Sequence, residues 1–327
     1  MVYAFLLFVL FSMPSGAHVP LTPSPGNNLS SAVLVPDPEK TYAIYGTLHN
    51  PCETDYYRLT LSANQTLELQ LSVPDPLFMP TLVVMGPGIE TKNVPMDSIK
   101  APEGAGVIVL PGMRPEHAWY EPFSPMSLYQ ISNYSMPAGS PGIYYVAIYS
   151  QDRAGAYTLA TGSLEEFSPS EWVMVPLDLI KVRFWQGQTP PLIFGPMVAV
   201  IIVGLLFLWS RNRRISQSVH EWLASISGLT LLGTTATIAV QTAIALRSAP
   251  FSSVVLVTMI FLVASLLLGL AAVFLSAREW SLRVRVAMVV IGVISLVFWS
   301  GLIIGPLLAF LAAVWQGSHP LITEGKQ

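Results

Sequence analysis

The side chains with chemistry to offer are few, and the histidines come first. Cleavage after Ala17 would make His18 a new N-terminus, and an α-amine beside a neutral imidazole is a chelating pair suited to copper. His49 or His117 would then supply a third ligand. No His-x-His pair or methionine-rich cluster adds to this set, so copper handling ranks last among three functional readings. His49 and Cys52, at i and i+3, form a second pair. A turn residue and a small buried thiol explain that pair without any metal. Elsewhere the chain has no P-loop, dinucleotide fingerprint, Gly-x-Ser-x-Gly elbow or His-Glu-x-x-His helix. The expectation is a protein without catalytic residues, resident metal or cofactor.

Two unlike halves must position these groups. The 327 residues are 52% hydrophobic and 11% charged, with a mean hydropathy of +0.56. Such averages suit neither a soluble globule nor a chain wholly inside a bilayer. Four apolar runs, 191–209, 222–246, 253–275 and 286–315, hold no Asp, Glu, Lys, Arg or His. About 20 such residues are what a helix needs to cross a hydrocarbon core of roughly 30 Å. The expectation is a four-helix membrane domain over 190–316, followed by a short external tail, 317–327. The last run, with 30 residues, must tilt, kink near Gly305-Pro306 or project beyond the bilayer.

From Ser225 to Thr242 the second run is dotted with Ser, Thr and Gly, and Gln241 is its one strong polar group. Small and hydroxyl residues let helices approach closely and hydrogen-bond to one another. Gly301-Leu-Ile-Ile-Gly305 gives the last run a similar packing patch. A permeation path lined by the hydroxyls is the sharper alternative. Proton relays, ion-coupled transport and voltage sensing need ionisable groups within the membrane, and these runs have none. Bis-histidine haem ligation fails too, since no histidine lies in a run.

Residues 1–17, an apolar core ending in small residues at Ser15 and Ala17, read as a secretory signal. Arg211, Arg213 and Arg214 follow the first run, and Arg278, Arg283 and Arg285 the third, against Arg247 alone after the second. The positive-inside rule puts those six arginines in the cytoplasm. The domain that begins at His18 and the C-terminus are then both expected outside the cell membrane.

That exported half carries 14 acidic and 6 basic residues between His18 and Ser170, which argues against nucleic acid as a partner. The excess reads as a solvated surface or as one that attracts cations. Residues 18–40 form an irregular lead-in. Strands are expected at Tyr42–Leu48, Asp55–Leu61, Thr66–Val73, Leu82–Met85, Val107–Leu110, Leu128–Ile131, Ile143–Tyr149 and Ala156–Thr161. In Thr66–Val73, Leu67, Leu69, Leu71 and Val73 share one face. Ile143–Tyr149 is nearly continuous in aromatic and β-branched residues, as in a strand covered on both sides. Short strands with frequent Gly and Pro breaks favour a β-sandwich over 41–165. The lone Cys52 leaves no disulfide within the chain, so that sandwich must rest on core burial. Asp55 is expected to tie down a turn with its carboxylate. Asn28-Leu-Ser30, Asn64-Gln-Thr66 and Asn133-Tyr-Ser135 are glycosylation acceptors if the host modifies asparagine.

An ordered series of short motifs adds to this reading. Gly46-Thr-Leu, Asp55-Tyr-Tyr-Arg-Leu, Asn64-Gln-Thr-Leu-Glu-Leu, Gly139-Ser-Pro-Gly-Ile-Tyr-Tyr-Val-Ala-Ile and Gly155-Ala-Tyr-Thr-Leu resemble the bacterial pre-peptidase C-terminal domain family. The resemblance spans about Thr41 to Gly162. It implies a jelly-roll-like sandwich that serves as a secreted accessory or binding module. Family members that bind calcium use clustered acidic loops; Asp55, Asp75 and Asp152 stand singly, so no metal site is carried over.

Between the halves, 166–189 is expected to be a linker at the membrane interface. Trp172, Phe184 and Trp185 with Lys181 and Arg183 suit the headgroup zone. The leading functional expectation is a non-enzymatic membrane protein. Lipid surrounds its helices, and its sandwich binds a protein or glycan partner or assembles at the cell surface. The second is an accessory or assembly subunit of a membrane enzyme or transporter.

Overall fold

The structure is a computed structural model. It describes residues 18–315 apart from 23, 25, 93–98 and 212–217. The expected signal (1–17), the expected tail (317–327), Arg213 and Arg214 lie outside the described residues. The chain divides into two compact units. Residues up to Trp119 with Leu128–Trp172 form the first, and Tyr120–Ser127 with Val173 onward form the second.

Two β-sheets build the first unit. The six-stranded sheet runs β1 (Val19–Leu21), β3 (Tyr42–Leu48), β11 (Gly155–Thr161), β5 (Thr66–Val73), β9 (Met126–Pro137) and β8 (Trp119–Glu121). The five-stranded sheet runs β2 (Val33–Leu34), β4 (Thr54–Leu61), β10 (Gly142–Tyr149), β6 (Thr81–Gly86) and β7 (Gly106–Leu110). Inward residues of both sheets make one core: Ile44, Leu59, Leu69, Leu71, Val84, Val146, Ile148 and Leu159 are all buried there. The alternation in β5 is the expected one, with its four apolar residues inside. β10 is covered on both sides. Val146 and Ile148 face the main core, while Ala147 and Tyr149 join a second cluster with Val83, Met85, Val109 and Ile99.

Every expected strand is present, with ends that move by a residue or two except in β9, which is longer. The lead-in departs from expectation. It is not irregular throughout, since β1 pairs with β3 and β2 with β4, both in parallel. Strands of two or three residues are too short to show alternation, so nothing in their sequence marks them.

The stretch 166–189, expected to be an interfacial linker, holds a helix, α1 (Pro169–Trp185), and the division between units falls within it. Its start is a capping box: Ser168 N–H donates to Glu171 Oε2 (2.7 Å), and Glu171 N–H donates to Ser168 Oγ (3.2 Å). Pro169 sits where a helix tolerates a missing donor. α2 (Pro190–Arg211), α3 (Val219–Ala245) and α4 (Val255–Ser276) follow. All three are long and apolar enough to cross a membrane.

The fourth expected span, 286–315, is not one helix. It is α5 (Leu282–Val297), a turn, and α6 (Ile304–Val314). At 16 and 11 residues they rise about 24 and 16 Å at 1.5 Å per residue, each short of a bilayer core. They fold back on one another: a Cβ on Gly292 of α5 would lie 2.6 Å from the ring of Phe310 in α6. The turn takes left-handed backbone at Trp299 (φ 52°), Gly301 (φ 72°) and Leu302 (φ 55°). Apolar composition continues across it, which is why a single long run was expected. α6 then runs back along α3. Gly301 N–H donates to Thr234 Oγ1 (2.8 Å), Gly305 packs on Thr230, and Ser227 Oγ donates to Gly305 O (2.8 Å). Its end therefore points toward Val219, where α3 begins.

Candidate functional site

Each unit holds one unusual arrangement. In the sandwich it is a buried chain of polar groups. Asp55 does not tie down a turn: it lies within β4 with its side chain turned into the core, on the same side as Tyr57 and Leu59, and is 2% exposed. Tyr157, on β11, donates its hydroxyl to Asp55 Oδ2 at 2.6 Å. The Tyr57 hydroxyl is 2.7 Å from that of Tyr157. Tyr157 has one proton, committed to Asp55, so Tyr57 is the donor in that second bond. Asp55 Oδ1 is buried without a partner. Burial pushes the Asp55 carboxyl up, and the bond from Tyr157 only partly opposes it. Burial likewise drives the Tyr157 hydroxyl well above its usual value.

Glycine makes the chain possible. Gly46 pairs with Tyr157 across β3 and β11, and a methyl there would fall inside the tyrosine ring. Its absence lets the ring lie over the strand and reach Asp55. Gly46 and Asp55 thus meet Tyr157, about a hundred residues further along the chain, at one place.

The second arrangement is a cavity of about 120 Å³ in the helical unit. Pro122, Phe123 and Pro125 of the segment 120–127 form one wall; Ile180 and Arg183 of α1 form another. Met197 of α2, Thr237, Ile238 and Gln241 of α3, and Phe261 of α4 continue it. Trp299 and Leu302 of the α5–α6 turn close it. Phe123 meets Phe261 edge-on at 6.0 Å and Trp299 at 6.1 Å, and Phe261 lies 5.3 Å from Trp299. Such contacts fix aromatic rings relative to one another.

Segment 120–127 is held by polar bonds. Tyr120 donates to Thr258 Oγ1 (2.9 Å) and its oxygen lies 3.2 Å from Thr242 Oγ1. Thr258 Oγ1 donates to Pro122 O at 2.7 Å, and Arg183 Nη1 donates to Pro125 O at 2.8 Å. Within the segment, Glu121 accepts from Phe123 N–H at 3.1 Å, and desolvation still pushes its carboxyl up to about 7. Arg183 is buried, at 7% exposed. Lys181 stays exposed and pairs with Asp178 at 2.8 Å.

Gln241 is the strong polar group expected within a span. It exchanges two bonds with Gln188, at 2.8 and 2.9 Å. The hydroxyls of α3 are committed as well: Thr230 donates to Ser227 O, Thr234 to Thr230 O and Thr237 to Gly233 O. These bonds are those of packing, not of an open polar path.

The remaining expected positions are dispersed. His49 is exposed beside Glu53, its Nδ1 3.6 Å from a carboxylate oxygen, and His117 is exposed beside Glu116 at the same separation. His18, half-buried, directly precedes β1. Among the described residues no group of three or more His, Cys, Asp or Glu is placed to hold a metal ion. Cys52 is not the buried thiol expected but an exposed one, in a turn at φ 63°. Asn28, Asn64 and Asn133 are all exposed. Asn28 accepts from Ser31 N–H at 3.0 Å, and Asn64 takes φ 68° in the β4–β5 turn. Gly301 and Gly305 both lie against α3, but at the hairpin turn and not along one helix face.

Sequence reasoning missed segment 120–127 and the role of Arg183. Pro122 and Pro125 flanking Phe123 were the available sign of an apolar, rigid loop. No family model matches the chain, and no curated protein is significantly similar to it.

Proposed function

We propose that this chain is a non-enzymatic integral membrane protein that displays a β-sandwich of the pre-peptidase C-terminal type outside the cell, for binding or assembly. The supporting observation is the pairing in one chain of a two-sheet unit with three helices apolar enough to cross a bilayer. In this reading α2 runs inward, α3 outward and α4 inward. The α5–α6 hairpin enters from the cytoplasmic side and returns to it. The C-terminal tail then leaves beside the arginine loops, in place of the external position that four full spans would give it. Irregular backbone at membrane depth is tolerated where protein surrounds it. The Gly301–Thr234 bond is of that kind. The exposed Asn28, Asn64 and Asn133 are the glycan acceptors of this reading.

Cys52 supplies the test of orientation, being the sole cysteine and exposed. A membrane-impermeant maleimide is expected to label it in intact cells, and to label Ser318→Cys in a Cys52→Ser background only after permeabilisation. Protection of Cys52 in intact cells would sink the display reading.

The accessory-subunit reading draws on α2, the least buried of the three candidate spans. A partner helix fits that face as well as lipid does. Impermeant cross-linking through the exposed Lys92 and Lys100 to an envelope component favours display. A stoichiometric membrane partner retained in mild detergent without cross-linker favours the accessory role.

A further inference from the structure

We propose that the cavity of the helical unit holds a stretch of one hydrocarbon chain of an anionic bilayer lipid, with the headgroup drawn to Arg183. The inference rests on the membrane reading above and goes beyond it by assigning an occupant. Three observations lead to it.

The polar side chains that α3 and α4 bring to the cavity are already engaged with protein. Gln241 is paired with Gln188, Thr237 with Gly233 O, and Thr258 with Pro122 O. A polar solute would find few partners there, whereas an apolar chain gives up nothing by entering. The size agrees. A cavity of about 150 Å³ lined by aliphatic and aromatic side chains stays dry and takes a benzene. One of about 120 Å³ admits a short stretch of chain and not a whole lipid.

Access follows from Phe194, which lines the cavity and is also among the exposed side chains of α2. Phe194 is thus where a chain from the surrounding bilayer would enter. Charge selects the headgroup: Arg183 is the sole charged residue among those lining the cavity. It belongs to α1, outside the candidate spans. A guanidinium stays charged at any working pH. Its Nη1 bonds to Pro125 O and Gln186 Oε1 fix where that charge lies.

The test reconstitutes the full chain in vesicles of phosphatidylcholine and phosphatidylglycerol in equal parts. Lipid that stays with the protein is then read by native mass spectrometry. One phosphatidylglycerol per chain is expected. Ile238→Trp, filling the space from α3, should lower the retained fraction about tenfold. Met197→Trp fills it from α2 and serves as the independent variant if the first does not fold. Arg183→Lys should keep the preference for phosphatidylglycerol, and Arg183→Gln should abolish it. Equal retention of both lipids by the unmodified protein overturns the assignment. So does a free fatty acid in place of lipid, or retention unchanged in the filled variants. A chain that inserts but retains nothing overturns this inference alone, whereas a chain that never enters the vesicles overturns the membrane reading with it.

Discussion

The sandwich and the helical unit bury side-chain oxygens by different means. In the sandwich a carboxylate faces the core with one oxygen bonded to Tyr157 and the other without a partner. In the helical unit the hydroxyls inside α3, α4 and α5 turn to backbone carbonyls. Thr234 donates to Thr230 O, Ser265 to Phe261 O and Ser295 to Ile291 O. The one span amide, Gln241, is matched by another amide. The surrounding solvent explains the contrast. A sandwich assembled from water gains roughly 25 cal/mol for each Å² of apolar surface it hides, enough to carry an imperfect polar site. Hydrocarbon offers no alternative partner and little drive for helices to meet, so the hydroxyls and the amide within the helices are answered by the protein itself.

Glycine divides in part the same way, Gly292 against the Phe310 ring being an exception in the helical unit. Gly46, Gly86 and Gly155 in the sandwich each clear space for an aromatic ring, of Tyr157, Tyr144 and Phe78 respectively. In the helical unit Gly228, Gly301 and Gly305 bring neighbouring helices close, with Cβ positions 2.7–2.8 Å from atoms of Val273, Gly269, Leu231 and Thr230.

The largest expected effect tests the first of these roles. Gly46→Val would place branched carbons within the Tyr157 ring, forcing it off Asp55 and the sheet. The expected loss is about 3 kcal/mol or more, at the upper end of overpacking costs. Denaturant unfolding of the full chain in mild detergent measures it. If the variant unfolds at the same midpoint, the ring does not cross the strand at Gly46.

How much of this was legible in sequence follows from the same physics. β5 announced itself because Leu67, Leu69, Leu71 and Val73 alternate with polar residues, and one face meets water. β10 was readable from its unbroken apolar run. Asp55 was misread, since its inward side chain depends on Tyr157, about a hundred residues away. In the membrane half, length and apolarity marked α2, α3 and α4. Those signals failed at α5 and α6, because a turn buried in protein need not be polar and Phe298-Trp-Ser-Gly-Leu-Ile reads like continuous helix. The cavity was beyond reach, being assembled from six separate stretches of chain.

The amide pair sharpens the comparison from the helical side. Gln241→Leu removes one partner and strands the amide of Gln188, with an expected cost of about 1–3 kcal/mol. Changing both to leucine removes the need along with the bond and should recover most of that loss. A double-mutant cycle on detergent-solubilised protein gives the coupling. Additive single effects would mean that the two glutamines do not answer one another.

The smallest effect concerns Asp55, and its sign separates the two units. Burial raises its pKa above the ordinary value of 3.8, and the Tyr157 hydroxyl only partly offsets this. The folded chain therefore binds the Asp55 proton more tightly than the unfolded chain does. The stability that this contributes is complete below the unfolded pKa and is lost as pH rises through the folded one. Asp55→Asn keeps an acceptor for Tyr157 and carries no charge, so it should remove that slope. At neutral pH it should change stability by less than about 1 kcal/mol. Other carboxylates titrate over the same range, so the informative quantity is the difference between variant and unmodified protein, followed from about pH 4 to about pH 8. That difference should shift in favour of the variant as pH rises. Helical spans without a carboxylate contribute nothing to it. Parallel curves would show that Asp55 is as well solvated in the fold as outside it, and the contrast between the two interiors would lose its sharpest instance.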